Sequence, residues 1–307
     1  LLDCVRHFAP GTLIAMEACS TSHFWGRTFR TMGYNVRLIP AQHVKAFVRS
    51  QKNDANDALA ICETALRPGI HFVPVKTAEQ QDIKALRNTR QLMVEQRTAL
   101  ANQLRSLLAE YGLIIPVGIQ CLQQHLPELM EDASNELTFT VRRLLSTLRE
   151  DMQALNERVT GLDKEIAALS SQQAAYRQLL TIPGVGPLIA AAFISEVDAG
   201  QFSNGRELSA WCGLVPRQHS SGGKQRLSSV TKNGNRSLRT LIIHGARSVM
   251  RCMKKRDDSL GLWLQRLEAR RGFLKTTVAL ANKLTRIIWR VLTDGVDFNM
   301  QKAVAMN

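Results

Sequence analysis

The spacing of hydrophobic positions changes twice along the chain. Short apolar runs at 12–17 (TLIAME) and 35–39 (NVRLI) read as buried strands, with a helical stretch near 22–32 between them that Gly33 closes. Residues 71–75 (HFVPV) predict a third strand, and Pro74 assigns it to a sheet edge because proline lacks a ladder donor. Strand, helix, strand is the signature of a parallel α/β layer. From about 79 to 111 the period becomes helical. Leu86, Met93, Leu100 and Leu107 recur every seven residues, and Leu104 and Tyr111 share their seam. A second helix is more regular. Val141, Leu145, Leu148, Met152, Leu155, Val159, Leu162, Ile166 and Leu169 alternate steps of four and three, which is a heptad seam. At 1.5 Å per residue it is roughly 40 Å long, more than a compact core requires. An arm that sets dimer geometry and an internal helical hairpin are both compatible with this pattern.

The chain has 307 residues, enough for two ordinary domains, and its 45% hydrophobic and 21% charged content excludes a disordered or collagen-like polymer. Charge is the anomaly. The formal net charge is +14, and it is unevenly distributed: residues 1–180 carry 20 basic and 18 acidic side chains, residues 181–307 carry 20 and 8. A polyanionic partner is expected to meet the C-terminal part, whereas basic residues that merely solubilise a surface would be spread more evenly. That partner is either nucleic acid or an acidic membrane face, and since no run approaches the roughly 18 apolar residues of a spanning helix, membrane insertion is not expected. The six cysteines, at 4, 19, 62, 121, 212 and 252, lack metal-finger spacing and read as reduced thiols of a cytoplasmic protein.

The basic third opens with LLTIPGVGPLIAAA at 179–192, where Gly184 and Gly186 permit a tight turn and Pro187 suits the first turn of the next helix. This is the helix-hairpin-helix pattern. Its exposed N–H groups bind a phosphate without reading sequence, although plain helix connections share the pattern. GLVPRQHSSGGKQR at 213–226 and TKNGNRSLR at 231–239 then set Ser220 and Ser221 among Arg217, Lys224, Arg226, Lys232, Arg236 and Arg239. The serines either donate hydrogen bonds in a phosphate-gripping loop, or one of them is a nucleophile, which requires an activating base or metal. His219 is adjacent in sequence only. Downstream, Arg236, Arg239, Arg247, Arg251 and Lys254 recur near helical spacing opposite Leu238, Ile242, Val249 and Met253, as in a helix lying along a phosphate backbone. Lys283, Arg286 and Arg290 are expected to repeat the device on a last helix.

Three acids complete the candidate chemistry. Glu17 ends an apolar strand, where an ionised carboxylate is costly without a cation or donor. Asp54 and Asp57, in KNDANDALAICE at 52–63, share one face at a helix start, a placement that capping and the helix dipole also favour. Together the three make an oxygen-rich set suited to Mg²⁺, which polarises phosphates and activates nucleophiles.

Two stretches in this order carry a resemblance over nearly the whole chain: MEACSTSHFW (16–25) with KNDANDA (52–58), and IPGVGP (182–187) through GLVPR (213–217) and SGGK (221–224) to KNGNR (232–236). They resemble DEDD-type insertion-sequence transposases, which are related to Piv-type DNA invertases. The resemblance implies an α/β plus all-α fold: a partial RNase H-like (RuvC-like) domain over 1–77, a coiled-coil arm over 78–177, and a helical transposase domain with helix-hairpin-helix and serine loop over 178–307. It further implies that Glu17, Asp54 and Asp57 are the second, third and fourth metal-binding acids and that Ser221 is the nucleophile. Mg²⁺, a DNA substrate, a structured bridge RNA and a dimeric or tetrameric assembly come with it. The family's first acid lies on an opening strand that precedes Leu1, so the sequence reads as an N-terminal truncation or a degenerate gene copy and its metal site as incomplete. A resolvase-like metal-dependent nuclease and a non-catalytic nucleic-acid-binding remnant are the competing readings.

Overall fold

A computed structural model describes residues 2–48, 53–252 and 258–301. Lys52, Met253 and Lys254, named above, lie outside the described residues. The chain forms two compact units, one comprising Leu1–Asp82 with Gln173–Asn307 and the other Ile83–Gln172. The fold is mostly helical with a small amount of sheet.

The first unit begins with α1 (Leu2–Val5), β1 (Leu13–Glu17), α2 (Ser22–Thr31), β2 (Asn35–Ile39), α3 (Ala41–Lys45) and α4 (Asp54–Ala65). β1 and β2 pair in parallel, Leu13 opposite Asn35 through Glu17 opposite Ile39, joined by α2 as the apolar runs predict. Gly33 adopts φ +85°, which lets the chain reverse after α2. Alternation along β1 divides its neighbours. Ile14 and Met16 pack with Phe29, Trp25 and Val36, whereas Ala15 packs with Ala60 and Ala65 of α4. The expected third strand over 71–75 does not form. It reduces to one antiparallel bridge in which the Val73 N–H donates to the Leu38 carbonyl at 2.7 Å, and Pro74 has no N–H to continue the ladder.

The second unit holds most of α5 (Ala78–Ala109), then α6 (Ile119–Glu131) and α7 (Phe139–Ser171). The Thr138 hydroxyl caps α7 by accepting from the Val141 N–H. Only one line of the heptad seam is fully covered: Leu145, Met152, Val159 and Ile166 are buried, while Val141, Leu148, Leu155, Leu162 and Leu169 are half-buried. Leu145 and Met152 pack with Ala101, Leu104 and Leu108 of α5 and with Leu122 and Leu126 of α6. Polar pairs join α5 to α7. Arg90 forks onto the Asp163 carboxylate at 2.5 and 3.1 Å, and Arg97 donates to Asn156 Oδ1 at 2.9 Å. Arg142 donates to the carbonyls of Met130, Asp132 and Leu137, tying the connection after α6 to the start of α7. Periodicity did not predict α6.

The remainder of the first unit contains α8 (Ala174–Leu180), α9 (Pro187–Glu196), a 3₁₀ turn (Ala199–Gln201), α10 (Gly205–Trp211), β3 (Pro216–Gln218), β4 (Leu227–Val230), α11 (Arg236–Arg251), α12 (Ser259–Arg271) and α13 (Phe273–Asp294). Side chains of Asn204, Asn235 and Asp258 cap α10, α11 and α12, each accepting from first-turn N–H groups. α13 is the hub and packs against α8, α10, α11 and α12 through Leu280, Leu284, Ile287, Ile288 and Val291. This corrects the expectation of a phosphate-gripping stripe on the last helix. Lys283 is only 7% exposed and lies over the Trp263 ring at 5.2 Å, and burial, with Arg286 second, lowers its pKa. Arg290 pairs with Asp294 four residues on. Charge spacing alone does not tell which face of a helix is buried.

Candidate active site

The acids stand on packed elements. Glu17, half-buried, ends β1 two residues beyond Ala15 and therefore lies on the strand face that α4 covers. α4 packs on both β1 and β2. Asn53 caps it, its Oδ1 accepting from the Asn56 N–H at 2.8 Å, which places exposed Asp54 and half-buried Asp57 in the first turn. Capping thus falls to Asn53. Among the described residues no three His, Cys, Asp or Glu side chains are gathered closely enough to hold a metal. The carboxylates fit a hard cation in donor chemistry, and Glu17 fits it in facing α4, but the three fall short of a closed site.

The serine region is a β-hairpin. β3 and β4 pair antiparallel, and the turn Ser221-Gly222-Gly223-Lys224 closes them, with the Lys224 N–H donating to the Ser221 carbonyl at 3.1 Å. Gly222 and Gly223 take φ +56° and +73°, left-handed values that suit the twist of a two-residue hairpin turn. Every residue from Pro216 to Ser229 is exposed. The two serines differ. Ser220 Oγ accepts from Gln218 Nε2 at 3.0 Å and from the Arg226 N–H at 3.2 Å, so it holds the hairpin together. Among the described residues the Ser221 hydroxyl makes no hydrogen bond, and the His219 ring bonds to neither serine. Lys224, Arg226 and Lys232 are exposed around the tip and stem, and Arg217 donates to the Thr231 carbonyl.

At the hairpin's base the chain crosses itself. A Cβ on Gly213 would stand 2.1 Å from the Asn233 carbonyl oxygen, and one on Gly234 would stand 1.9 Å from that of Trp211. Both glycines and Lys232 have positive φ. Arg239 Nη1 donates to the carbonyls of Cys212 (3.1 Å) and Asn233 (2.9 Å). Asn235 Nδ2 donates to Glu196 Oε2 at 2.6 Å. Cys212 is buried here, and its thiol is pushed up to about 12, chiefly by desolvation. Beyond this base, α11 shows the predicted division: Leu238, Ile242 and Val249 are buried, and Arg236, Arg247 and Arg251 are exposed.

The turn between α8 and α9 is pressed onto α11. At Gly184, φ is +84°, and a Cβ would lie 2.6 Å from Val249 Cγ2 and 2.8 Å from the Gly245 carbonyl oxygen. Gly184 therefore answers a packing need. Gly186, by contrast, faces open space and begins α9 without a side-chain cap.

Sequence comparison gives these elements a family. A family model described as "Transposase IS116/IS110/IS902 family" matches residues 176–260, and a DEDD-type model described as "Transposase" matches residues 1–113. A "Probable family 20 transposase" of Pseudomonas aeruginosa is 44% identical over 286 residues, covering 92% of this chain and 85% of that protein. The "Transposase for insertion sequence element IS1111A" of Coxiella burnetii is 44% identical, covering 91% and 77%. The "Transposase for insertion sequence element IS1328" of Yersinia enterocolitica is 36% identical, covering 94% and 86%. The chain belongs to the IS116/IS110/IS902 family of DEDD insertion-sequence transposases, enzymes that act on DNA.

Proposed function

We propose that the protein cuts and rejoins DNA by transesterification with Ser221 as nucleophile. The observation that carries this is the contrast between the serines: Ser220 is spent on closing the hairpin, while Ser221 stands at an exposed, cation-flanked tip with an uncommitted hydroxyl. Ser221 Oγ loses its proton and bonds to phosphorus as one bond from phosphorus to a deoxyribose oxygen breaks, and that oxygen leaves as a hydroxyl. A strand hydroxyl then loses its proton and bonds to the same phosphorus as the bond to Ser221 Oγ breaks, and that oxygen leaves as the restored serine hydroxyl, which rejoins DNA without ATP.

Glu17, Asp54 and Asp57 are the residues that would hold a divalent cation, Mg²⁺ by their all-oxygen chemistry, whose charge would stabilise the phosphate under attack. Arg217, Lys224, Arg226 and Lys232 attract the DNA backbone to the hairpin, and Arg236 does so at the start of α11. The Gly186 end of α9 offers uncapped N–H groups to a further phosphate, next to Gly184, which seats the turn on α11. An RNase H-like organisation of the β1–α4 layer, a helix-hairpin-helix role for α8 and α9, the division at 77 and 177, guidance by a bridge RNA, dimeric or tetrameric assembly and a cytoplasmic setting complete the proposal.

The test is Ser221→Ala, with covalent protein–DNA adduct trapped on a labelled duplex bearing the element's terminal sequence. Adduct is expected to vanish while binding of the duplex stays within about twofold. An adduct that persists removes this serine, and strand cleavage without any adduct assigns the attack to water.

A further inference from the structure

The hairpin that carries Ser221 has no core of its own. All of Pro216–Ser229 is exposed, and an isolated two-stranded hairpin is marginal in water. Its direction is therefore decided where it joins the body, at the crossing of residues 211–215 with 231–235. The main-chain bonds there are few: the Thr231 N–H donates to the Val215 carbonyl at 2.9 Å, and the Lys232 N–H donates to the Gly213 carbonyl at 3.2 Å. Left-handed backbone at Gly213, Lys232 and Gly234 bends both chains into near contact. Among the described residues no main-chain N–H across the crossing donates to the Cys212 or Asn233 carbonyl. Arg239 fills the gap from the first turn of α11, with both N–H groups of Nη1 directed to these two carbonyls, one on each chain. Asn235 in turn ties the start of α11 to Glu196 at the end of α9.

The geometry points to Arg239 as a positioning residue that aims the Ser221 hairpin, its guanidinium clamping the two chains of the hairpin's base instead of a DNA phosphate. This rests on the reading of Ser221 as nucleophile and reassigns one cation from the substrate to the scaffold. Both bonds leave one nitrogen at the far end of a planar group. A lysine side chain is one bond shorter, so its ammonium, although it carries donors enough for both carbonyls, falls short of that position.

Arg239→Gln and Arg239→Lys in the full chain separate the two roles. Three quantities are measured: amide hydrogen exchange at Thr231 and Lys232, the salt dependence of binding to a mixed-sequence duplex, and the rate of adduct formation on the terminal-sequence duplex. In both variants exchange at Thr231 and Lys232 is expected to rise at least tenfold while the amides of α13 keep their protection. Adduct formation is expected to fall at least tenfold, and the slope of log affinity against log salt to stay within half a unit of the parent. Rescue of the adduct rate by lysine, or a slope in the glutamine variant lower by about 0.9, as for one lost phosphate contact, overturns the assignment. Should the parent form no adduct, the nucleophile reading fails, and exchange and salt slope still decide the role of Arg239.

Discussion

The two halves of the candidate chemistry are built in opposite ways. Glu17, Asp54 and Asp57 sit at the end of a strand and the first turn of a helix that pack directly on each other, with Ala15, Ala60 and Ala65 filling the space between. Ser221 sits at the tip of a hairpin that buries nothing and hangs from a crossing of two glycines and an arginine. A carboxylate set on packed elements is held by the same contacts that hold the fold, so its geometry is as durable as the domain. A hydroxyl on an unsupported tip is free to follow its substrate. It can also lose its aim without any loss of overall stability.

That contrast is open to direct attack. Glu17→Gln, an isosteric change on the packed side, is expected to slow adduct formation by about 10²-fold, the usual scale for losing one electrostatic stabiliser of a reacting phosphate. Hairpin exchange and duplex binding should be unchanged. A Gln variant as fast as the parent would remove the strand-end acid from the chemistry. Gly234→Ala strikes the other side. Its Cβ would overlap the Trp211 carbonyl at φ +74°, and left-handed alanine alone costs about 1–2 kcal/mol. Adduct formation should fall at least tenfold with exchange at Thr231 and Lys232 accelerated, and normal exchange there would show that the crossing tolerates a side chain.

Smaller effects test where the cations act. Arg247→Gln on the exposed face of α11 should lower the salt slope of duplex binding by about 0.9, and an unchanged slope would detach that face from DNA. Lys283→Met should leave the slope alone, since Lys283 is covered by Trp263. Burial lowers the Lys283 pKa below its ordinary 10.5, so between the two values the unfolded chain binds more protons than the folded one, and stability rises with pH across that window. The methionine variant should lose this alkaline rise while its melting temperature near neutral pH shifts by only a few degrees. A rise that survives would show that other groups produce it.

Sequence pattern exposes the parts of the molecule whose burial is periodic. β1 and β2 are legible as apolar runs because both faces of β1 are packed, α2 and the seams of α5 and α7 because one face of each is covered, and the acids are legible as types at element ends. The hairpin is not, because β3 and β4 are exposed on both faces and carry no alternation. The Gly222-Gly223 pair between two short polar runs is the signal that marks it. Arg239 and Lys283 show the other limit. Both fall on cationic rows at helical spacing, yet one is spent on backbone carbonyls and the other is buried beneath a tryptophan. Which cation faces solvent is settled by the packing of neighbouring helices. Whether Glu17, Asp54 and Asp57 converge is likewise a matter of distances between elements that spacing within each does not contain.

The polar links between α5 and α7 have a consequence for how that pair tolerates change in length. A purely apolar seam with a seven-residue repeat is nearly degenerate: one helix slipped by two turns meets the other with similar hydrophobic faces. Arg90 on Asp163 and Arg97 on Asn156 reduce that degeneracy: a slip of two turns breaks the Arg90–Asp163 pair and sets either Asn156 opposite Leu104 or Asp163 opposite Ile83. The two helices therefore behave as a ruler with its graduations fixed, and an insertion of seven residues into either one, though silent to the hydrophobic pattern, would be read as an error.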